Sequence, residues 1–279
     1  AGHGLGHQAL RQAAGRHAEL EAAGYKFRSK IGRFETDGVV VHEVHLPGPD
    51  AVNLVFLEQD GKPEHTSAQG YGVAPQIVAT SPDNKREKAF FERVLGMDEA
   101  SYHRFSGPEV ERTIGLPPGG ALDVRIFGAE GYDYGRLEIV QYEGVTGADL
   151  YPRARPPARG LLSVTFFVPD VAAVLARAAA ASATTASATT AVSFAAPVDH
   201  GVRRTIFGEA RIATLTSPAG LRIDLDAAGV LEEVHVQERV LDGAAHRQQA
   251  VVAQHQEVGV AQVGGEVAQG LEKGADYGG

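Results

Sequence analysis

Apolar residues along the chain follow two different periods, and the two periods alternate. The stretch SVTFFVPD places Val164, Phe166 and Val168 on one face at a period of two, which is typical of a strand. The stretch NKREKAFFERVLG carries an apolar stripe from Phe90 to Leu95 at helical spacing. The chain therefore combines strands and helices in succession.

Proline, aspartate and glycine mark where these predicted elements begin and end. Pro169 has no N–H to donate to a strand ladder, so it ends the strand before it. Asp83 and Asp170 directly precede helical patterns and are predicted N-caps. Gly96 follows the apolar stripe and supplies the left-handed residue that ends a helix.

The same order of elements recurs three times along the chain. Each unit of about 60–70 residues contains a strand, a helix and three further strands, although the first unit lacks its opening strand. The stretches that open the units are ALRQAAGRHAELEAAG near the start, QIVATSPD from Gln76 and SVTFFVPD from Ser163. The fold class predicted from this repeat is α+β, built from βαβββ units.

The repeat divides the chain into three regions. Residues 1–66 hold the partial first unit, and residues 73–226 hold a domain of two complete units. Two such units side by side leave a shared concave face that suits a ligand. Residues 227–279 are rich in Gln, Ala, Val and Gly and are predicted to be a disordered tail. The chain starts at Ala1 in mid-pattern, so we expect an N-terminal piece to be missing.

Composition narrows the classes of function. The formal net charge is -9 and the sequence lacks a dense Lys/Arg run, so nucleic acid is not an expected partner. The chain has no cysteine, which excludes disulfides, thiolate catalysis and Cys-ligated zinc. No apolar stretch approaches the roughly 20 residues of a membrane span, and an export signal is not evident. The predicted location is therefore the cytoplasm, without membrane attachment.

The combined motifs QIVATSPDNKREKAFFERVLGM, GRLEIVQY, SVTFFVPDVAAVLARA and GLRIDL resemble those of the vicinal oxygen chelate superfamily. That superfamily includes glyoxalase I, extradiol dioxygenases, methylmalonyl-CoA epimerase and bleomycin-resistance proteins. The resemblance covers roughly residues 5 to 226. It implies βαβββ modules that pair into a half-open barrel around one divalent metal ion.

The resemblance also implies a set of metal ligands. Family ligands come from the first and last strands of each module, and the first-strand ligand stands seven residues before the Asp that opens the helix. By this rule Gln76 and Glu138 are the ligands of the second unit, and Ser163 and Asp224 occupy the matching places in the third. We take Gln76, Glu138 and Asp224 as the predicted metal ligands and Glu138 also as the predicted catalytic residue.

This ligand set departs from the family pattern because it lacks histidine. Carboxylate and amide oxygens suit a hard ion such as magnesium or manganese, whereas imidazole suits zinc, nickel and iron. The two-His-one-carboxylate iron site of non-haem oxygenases is not assembled. The identity of the divalent metal ion is therefore open, and so is its presence.

Three functions follow from these observations. The first is a glyoxalase-like, metal-dependent lyase or isomerase that polarises vicinal oxygens of a small carbonyl substrate and moves a proton. The alternative is a metal-free protein that binds and sequesters a small molecule, as bleomycin-resistance proteins do. Extradiol dioxygenase activity ranks third. The predicted substrate-binding residues are His103, Arg104, Tyr142, Phe166 and Phe207.

The expected partner is a small-molecule substrate or ligand. Family members pair their modules within one chain or across a homodimer, and both arrangements fit three visible units.

Overall fold

The computed structural model describes residues 15–36, 39–48, 52–58, 76–128, 135–184, 193–205, 208–227 and 252–253. Phe207 and most of the predicted tail over 227–279 lie outside these residues. The first unit contains α1 (residues 15–22), β1 (Gly32–Thr36), β2 (Val39–Pro47) and β3 (Asn53–Leu57). These three strands form one antiparallel sheet in the order β1-β2-β3.

The second unit forms a four-stranded sheet in the order β4-β7-β6-β5. Its first and last strands, β4 and β7, run parallel, and the other neighbours are antiparallel. The elements are β4 (Gln76–Thr80), α2 (Asn84–Phe90) continued by a π-helical turn (Phe91–Leu95), β5 (Asp98–Ser106), α3 (Pro108–Ile114), β6 (Ala121–Gly128) and β7 (Arg136–Glu143).

The third unit repeats this plan after a short 3-10 turn at Tyr151–Arg153. The strand order is β12-β8-β11-β10-β9, with β8 and β11 parallel as in the second unit. The elements are β8 (Val164–Phe167), α4 (Val171–Thr184), β9 (Val198–Thr205), β10 (Gly208–Thr216), β11 (Arg222–Asp226) and the two-residue β12 (Val252–Ala253). The predicted α+β class, with repeated βαβββ units, is confirmed.

The predicted boundary residues have the predicted geometry. Asp83 accepts hydrogen bonds from the backbone N–H groups of Lys85 and Arg86 at the start of α2. Asp170 accepts from the N–H groups that open α4, at 2.8 and 3.1 Å. Gly96 ends the π-helical turn with φ of 71°, in the left-handed region.

The second and third units pack against each other through their helices. Their shared core buries the α2 segment and α4 between the two sheets, and Arg177 of α4 donates from Nε to the carbonyl oxygen of Val94 at 2.9 Å. We call this cluster the helical core. Its buried members are Phe90, Phe91, Val94, Met97, Phe127, Leu137, Ile139, Val164, Phe166, Val171, Val174, Ala178, Ala213, Leu215, Leu221, Ile223 and Leu225.

The opposite face of the second sheet meets the first unit. Phe34 of β1 packs with Val110, Leu122, Val124 and Val140 of the second unit, and we call this cluster the cleft core. The sequence pattern predicts a concave ligand face between the second and third units, whereas in the structure these units pack through their helices and the second sheet turns its other face to the first unit. The reason is that β6 and β7 carry buried apolar side chains on both faces, so each face needs a partner.

Replacing Gly32 with alanine is expected to destabilise the protein by about 1–3 kcal/mol, because an added Cβ overpacks the contact between the first and second units. A Cβ at Gly32 would collide with Oγ1 of Thr113 and lie 2.8 Å from its Cγ2. Urea denaturation measures the change. Gly15→Ala in α1 is the control, since a Cβ there meets nothing within 4 Å. Equal stability of the two variants would contradict the prediction.

None of the helices in the described part of the chain is long and apolar enough to cross a lipid bilayer.

Candidate functional site

One wall of the site is the open face of the second sheet. Glu138 of β7 lies on the same face as Val140, opposite to the helical core. Gln76 of β4 is on the neighbouring parallel strand, and its Nε2 donates a hydrogen bond to Oε2 of Glu138. The structure thus brings together two of the three predicted metal ligands, and their role stays a prediction.

The facing wall belongs to the first unit. Phe34 is paired directly with Val41 across β1 and β2, so Glu43 and His45 share the face that Phe34 turns towards the second unit. The Asn53 amide donates to Nδ1 of His45 at 2.9 Å, so the imidazole proton sits on Nε2 and is donated to Oε1 of Glu43 at 3.0 Å. This Asn53–His45–Glu43 chain holds the Glu43 carboxylate in place.

Burial and the second carboxylate change the acidity of Glu138. Burial of the Glu138 side chain disfavours its charged form, and the negative charge of Glu43 acts in the same direction. Together they raise the pKa of Glu138 to about 7. A carboxyl group with this pKa can both take up and release a proton near neutral pH.

A cavity of about 240 Å³ opens between the two walls. Burial raises the pKa of Tyr142, the negative charges of Glu138 and Glu43 raise it further, and Arg28 lowers it. Tyr142 therefore connects the cavity electrostatically with the carboxylate pair. The residues that line the cavity are Arg28, His45, Asn53, Arg112, Thr113, Ile114, Gly115 and Tyr142.

The predicted substrate-binding pair His103–Arg104 lies in strand β5. Successive strand residues point to opposite faces. The ring centroids of His103 and Phe105 are 5.8 Å apart, and Phe105 packs on the cleft core. Arg104 is paired with Glu143 instead, at 2.6 Å between Nη2 and Oε2. Only His103 therefore shares the face that carries Glu138.

Four other residues that the sequence singles out are not at the Glu138 wall or cannot be described. Phe166 is buried in the helical core, so its ring packs between the second and third units. Asp224 accepts from the Thr214 hydroxyl at 2.6 Å and pairs with Arg222 at 3.1 Å, within the third sheet. Phe207 lies outside the described residues. Ser163 precedes β8.

Sequence reasoning missed the wall formed by Glu43, His45 and Arg28. Alternation in VVVHEVHLPG does place Glu43 and His45 on one face, which is the signal that was available. No signal in this stretch shows that the first unit covers the second.

The donor atoms at this site do not fit a metal ion held by Gln76, Glu138 and Asp224. Asp224 is engaged in the other sheet, and both ring nitrogens of His45 are taken by Asn53 and Glu43. Within the described ranges, no three His, Asp or Glu side chains are grouped so that they could hold a metal ion.

Known structures share this architecture. Two crystal structures of glyoxalase I mutants from Zea mays superpose with TM-scores of 0.51 and 0.52, each at 16% identity and over 78% of this chain. The matched regions are 65% and 66% of those proteins, so the chain spans about two-thirds of their length. A glyoxalase family protein from Bacillus cereus is 18% identical over 55% of this chain and 91% of that one, with a TM-score of 0.42. No protein-family model and no curated protein matches the sequence.

Proposed function

Because this chain has the fold of the vicinal oxygen chelate superfamily, we propose that it is a glyoxalase-like lyase or isomerase acting on a small carbonyl substrate. The reaction takes place at the Glu138 carboxyl group, between the first and second units, and the neighbouring cavity, which Tyr142 lines, holds the rest of the substrate. One observation supports the proposal above all. Glu138 lies on the face of the second sheet that meets the first unit, it accepts a hydrogen bond from Gln76, and burial and the charge of Glu43 raise its pKa to about 7.

Glu138 is the proton carrier in this proposal. Gln76 occupies Oε2, so Oε1 is the oxygen that takes a proton from the carbon beside the substrate carbonyl and returns it to a neighbouring carbon or oxygen. General acid–base catalysis of this kind contributes about 10²–10⁴-fold to a rate, and it is most effective when the pKa lies near the working pH. Gln76 orients the carboxyl group, and burial, assisted by the negative charge of Glu43, keeps the pKa of Glu138 raised.

The resemblance to the superfamily implies that a divalent metal ion polarises the substrate oxygens. Since the described side chains do not assemble the predicted ligand trio, we assign no step to a metal ion. Treatment with a chelator tests whether the reaction depends on a metal ion.

A metal-free small-molecule-binding protein is the second candidate. The observation that favours it is the cavity itself, which has aromatic, cationic and amide groups in its wall. Its volume of about 240 Å³ is below the roughly 300–1,000 Å³ of pockets for drug-sized ligands, so the ligand would be small. Dioxygenase activity gains no support, because two histidines and a carboxylate are not grouped among the described residues.

The deciding experiment is hydrogen–deuterium exchange at the carbon beside the carbonyl of hydroxyacetone and of pyruvate, followed by NMR in deuterated buffer. We expect the protein to accelerate exchange above the buffer rate, and to do so equally after treatment with a chelator. Exchange that disappears with the chelator and returns with a divalent ion would make the enzyme metal-dependent. Binding of either compound without exchange would favour the second candidate.

A further inference from the structure

Arg28 is a cationic residue at the cavity that has no role in the proposed proton transfer. Its backbone N–H donates to the carbonyl oxygen of His45 at 2.9 Å, which fixes residue 28 beside β2. Its side chain lines the cavity, and its guanidinium has no hydrogen bond or ion pair among the residues that the structure describes. Arg112, the other cation in the wall, is already paired with Glu109. Arg28 is therefore the charge that remains for a ligand.

Thr113 supplies a second, independent observation. Its side chain lines the same cavity and is 4% exposed. Its Oγ1 is buried and has no hydrogen-bond partner among the residues that the structure describes. A buried hydroxyl without a partner costs free energy, so a ligand acceptor at this position would remove that cost.

We propose that the cavity binds the carboxylate of a small 2-oxo or 2-hydroxy acid, with Arg28 and Thr113 as its carboxylate-binding residues. The class of reaction rests on the function proposed above, whereas the binding of the anion does not. A guanidinium offers paired N–H donors that match the two oxygens of a carboxylate. The Thr113 hydroxyl adds one more donor.

The composition of the wall favours an anion over a cation or a neutral ligand. The described lining residues supply two arginines, an imidazole, an amide and two hydroxyl groups, and none of them is a carboxylate. Tyr142 is the lining residue that interacts electrostatically both with Arg28 and with the carboxylate pair Glu43 and Glu138. The carbonyl end of a ligand whose carboxylate is bound at Arg28 would therefore lie at Tyr142.

The first test measures binding by NMR titration with pyruvate, an anion, and with hydroxyacetone, its neutral counterpart. Arg28→Gln is expected to weaken pyruvate binding by about tenfold or more, as the loss of a charge-assisted hydrogen-bond pair predicts. Hydroxyacetone binding should stay unchanged. Arg33→Gln is the matched control, because Arg33 lies on β1 of the same unit and pairs with Glu35.

The second test replaces Thr113 with valine. Because the hydroxyl lacks a partner, the ligand-free variant should be at least as stable as the wild type, yet it should bind pyruvate about tenfold more weakly. A structural role for the hydroxyl would instead lower stability without a specific loss of pyruvate binding, and that result would overturn the assignment.

The outcomes separate this inference from the proposed function. Pyruvate binding that is absent, or that is insensitive to Arg28→Gln, overturns the inference even if exchange into hydroxyacetone depends on Glu138. Arg28-dependent pyruvate binding without any exchange supports the inference and overturns the proposed function.

Discussion

Replacing Glu138 with Gln is expected to slow hydrogen–deuterium exchange into a small carbonyl substrate by about 10²–10⁴-fold, the usual contribution of a positioned acid–base group. An amide has nearly the shape of the carboxyl group but cannot take up the substrate proton. Ligand affinity should change little, because Glu138 is not part of the cavity lining. Exchange followed by NMR and binding followed by titration measure the two quantities separately.

The matched control for this variant is Glu143→Gln. Glu143 lies on the same strand as Glu138, but it is paired with Arg104 rather than with Gln76. Its replacement should leave the exchange rate within about twofold, as expected for a group outside the proton-transfer step. The proposal fails if the two variants lose exchange equally, or if Glu138→Gln keeps the wild-type rate.

Above pH 7, the Glu87→Gln variant is expected to avoid a loss of about 3 kcal/mol in the free energy of unfolding that ionisation of Glu87 causes in the wild type. The figure follows because each unit of pKa shift corresponds to about 1.36 kcal/mol. Glu87 of α2 is 1% exposed and lies at the junction of the second and third units. Its Oε1 accepts from the backbone N–H of Ala219 at 2.6 Å and from the hydroxyl of Ser217 at 3.2 Å. Its Oε2 is buried without a described partner.

The direction of the pH dependence follows from the raised pKa of Glu87. Burial raises this pKa from 4.5 to about 7, although the hydrogen bonds from Ala219 and Ser217 oppose the shift. The folded state therefore holds the proton more tightly than the unfolded state. The contribution of protonated Glu87 to the free energy of unfolding is fully present below pH 4.5 and is lost as the pH rises to about 7.

Urea denaturation at pH 4.5, 6 and 8 measures this dependence for the wild type and for Glu87→Gln. Glu138 titrates in the same direction, so the informative quantity is the difference between the two proteins at each pH. That difference should grow as the pH rises and level off above pH 7. Glu92→Gln, an exposed change in the following turn, is the control. Parallel stability curves for the wild type and Glu87→Gln would refute the prediction.

Local sequence signals were sufficient to predict the repeated units. Asp83, Asp170 and Gly96 act within a few residues of themselves, so their geometry depends little on the rest of the chain. The same holds for the faces of β7, where simple alternation separates Glu138 from Leu137 and Ile139.

The partners of those faces could not be predicted in the same way. Alternation shows that Glu138 and Val140 share a face, but not which unit covers it, because that depends on contacts distant in sequence. The apolar alternation of β8 likewise gives no sign that Phe166 packs towards the helical core. The stretch DEASYHRFS of β5 is largely polar, so its exposed and half-buried positions alternate with little apolar signal for a strand.

The two cores differ greatly in size, and this difference sets how the site can open. Among the described residues, the helical core has seventeen buried members from the second and third units, whereas the cleft core has five, of which Phe34 alone comes from the first unit. Local opening costs least where few apolar contacts are lost. We therefore expect the contact between the first and second units to open before the helical core does, so that a ligand reaches Glu138 while the strand that carries it stays in place.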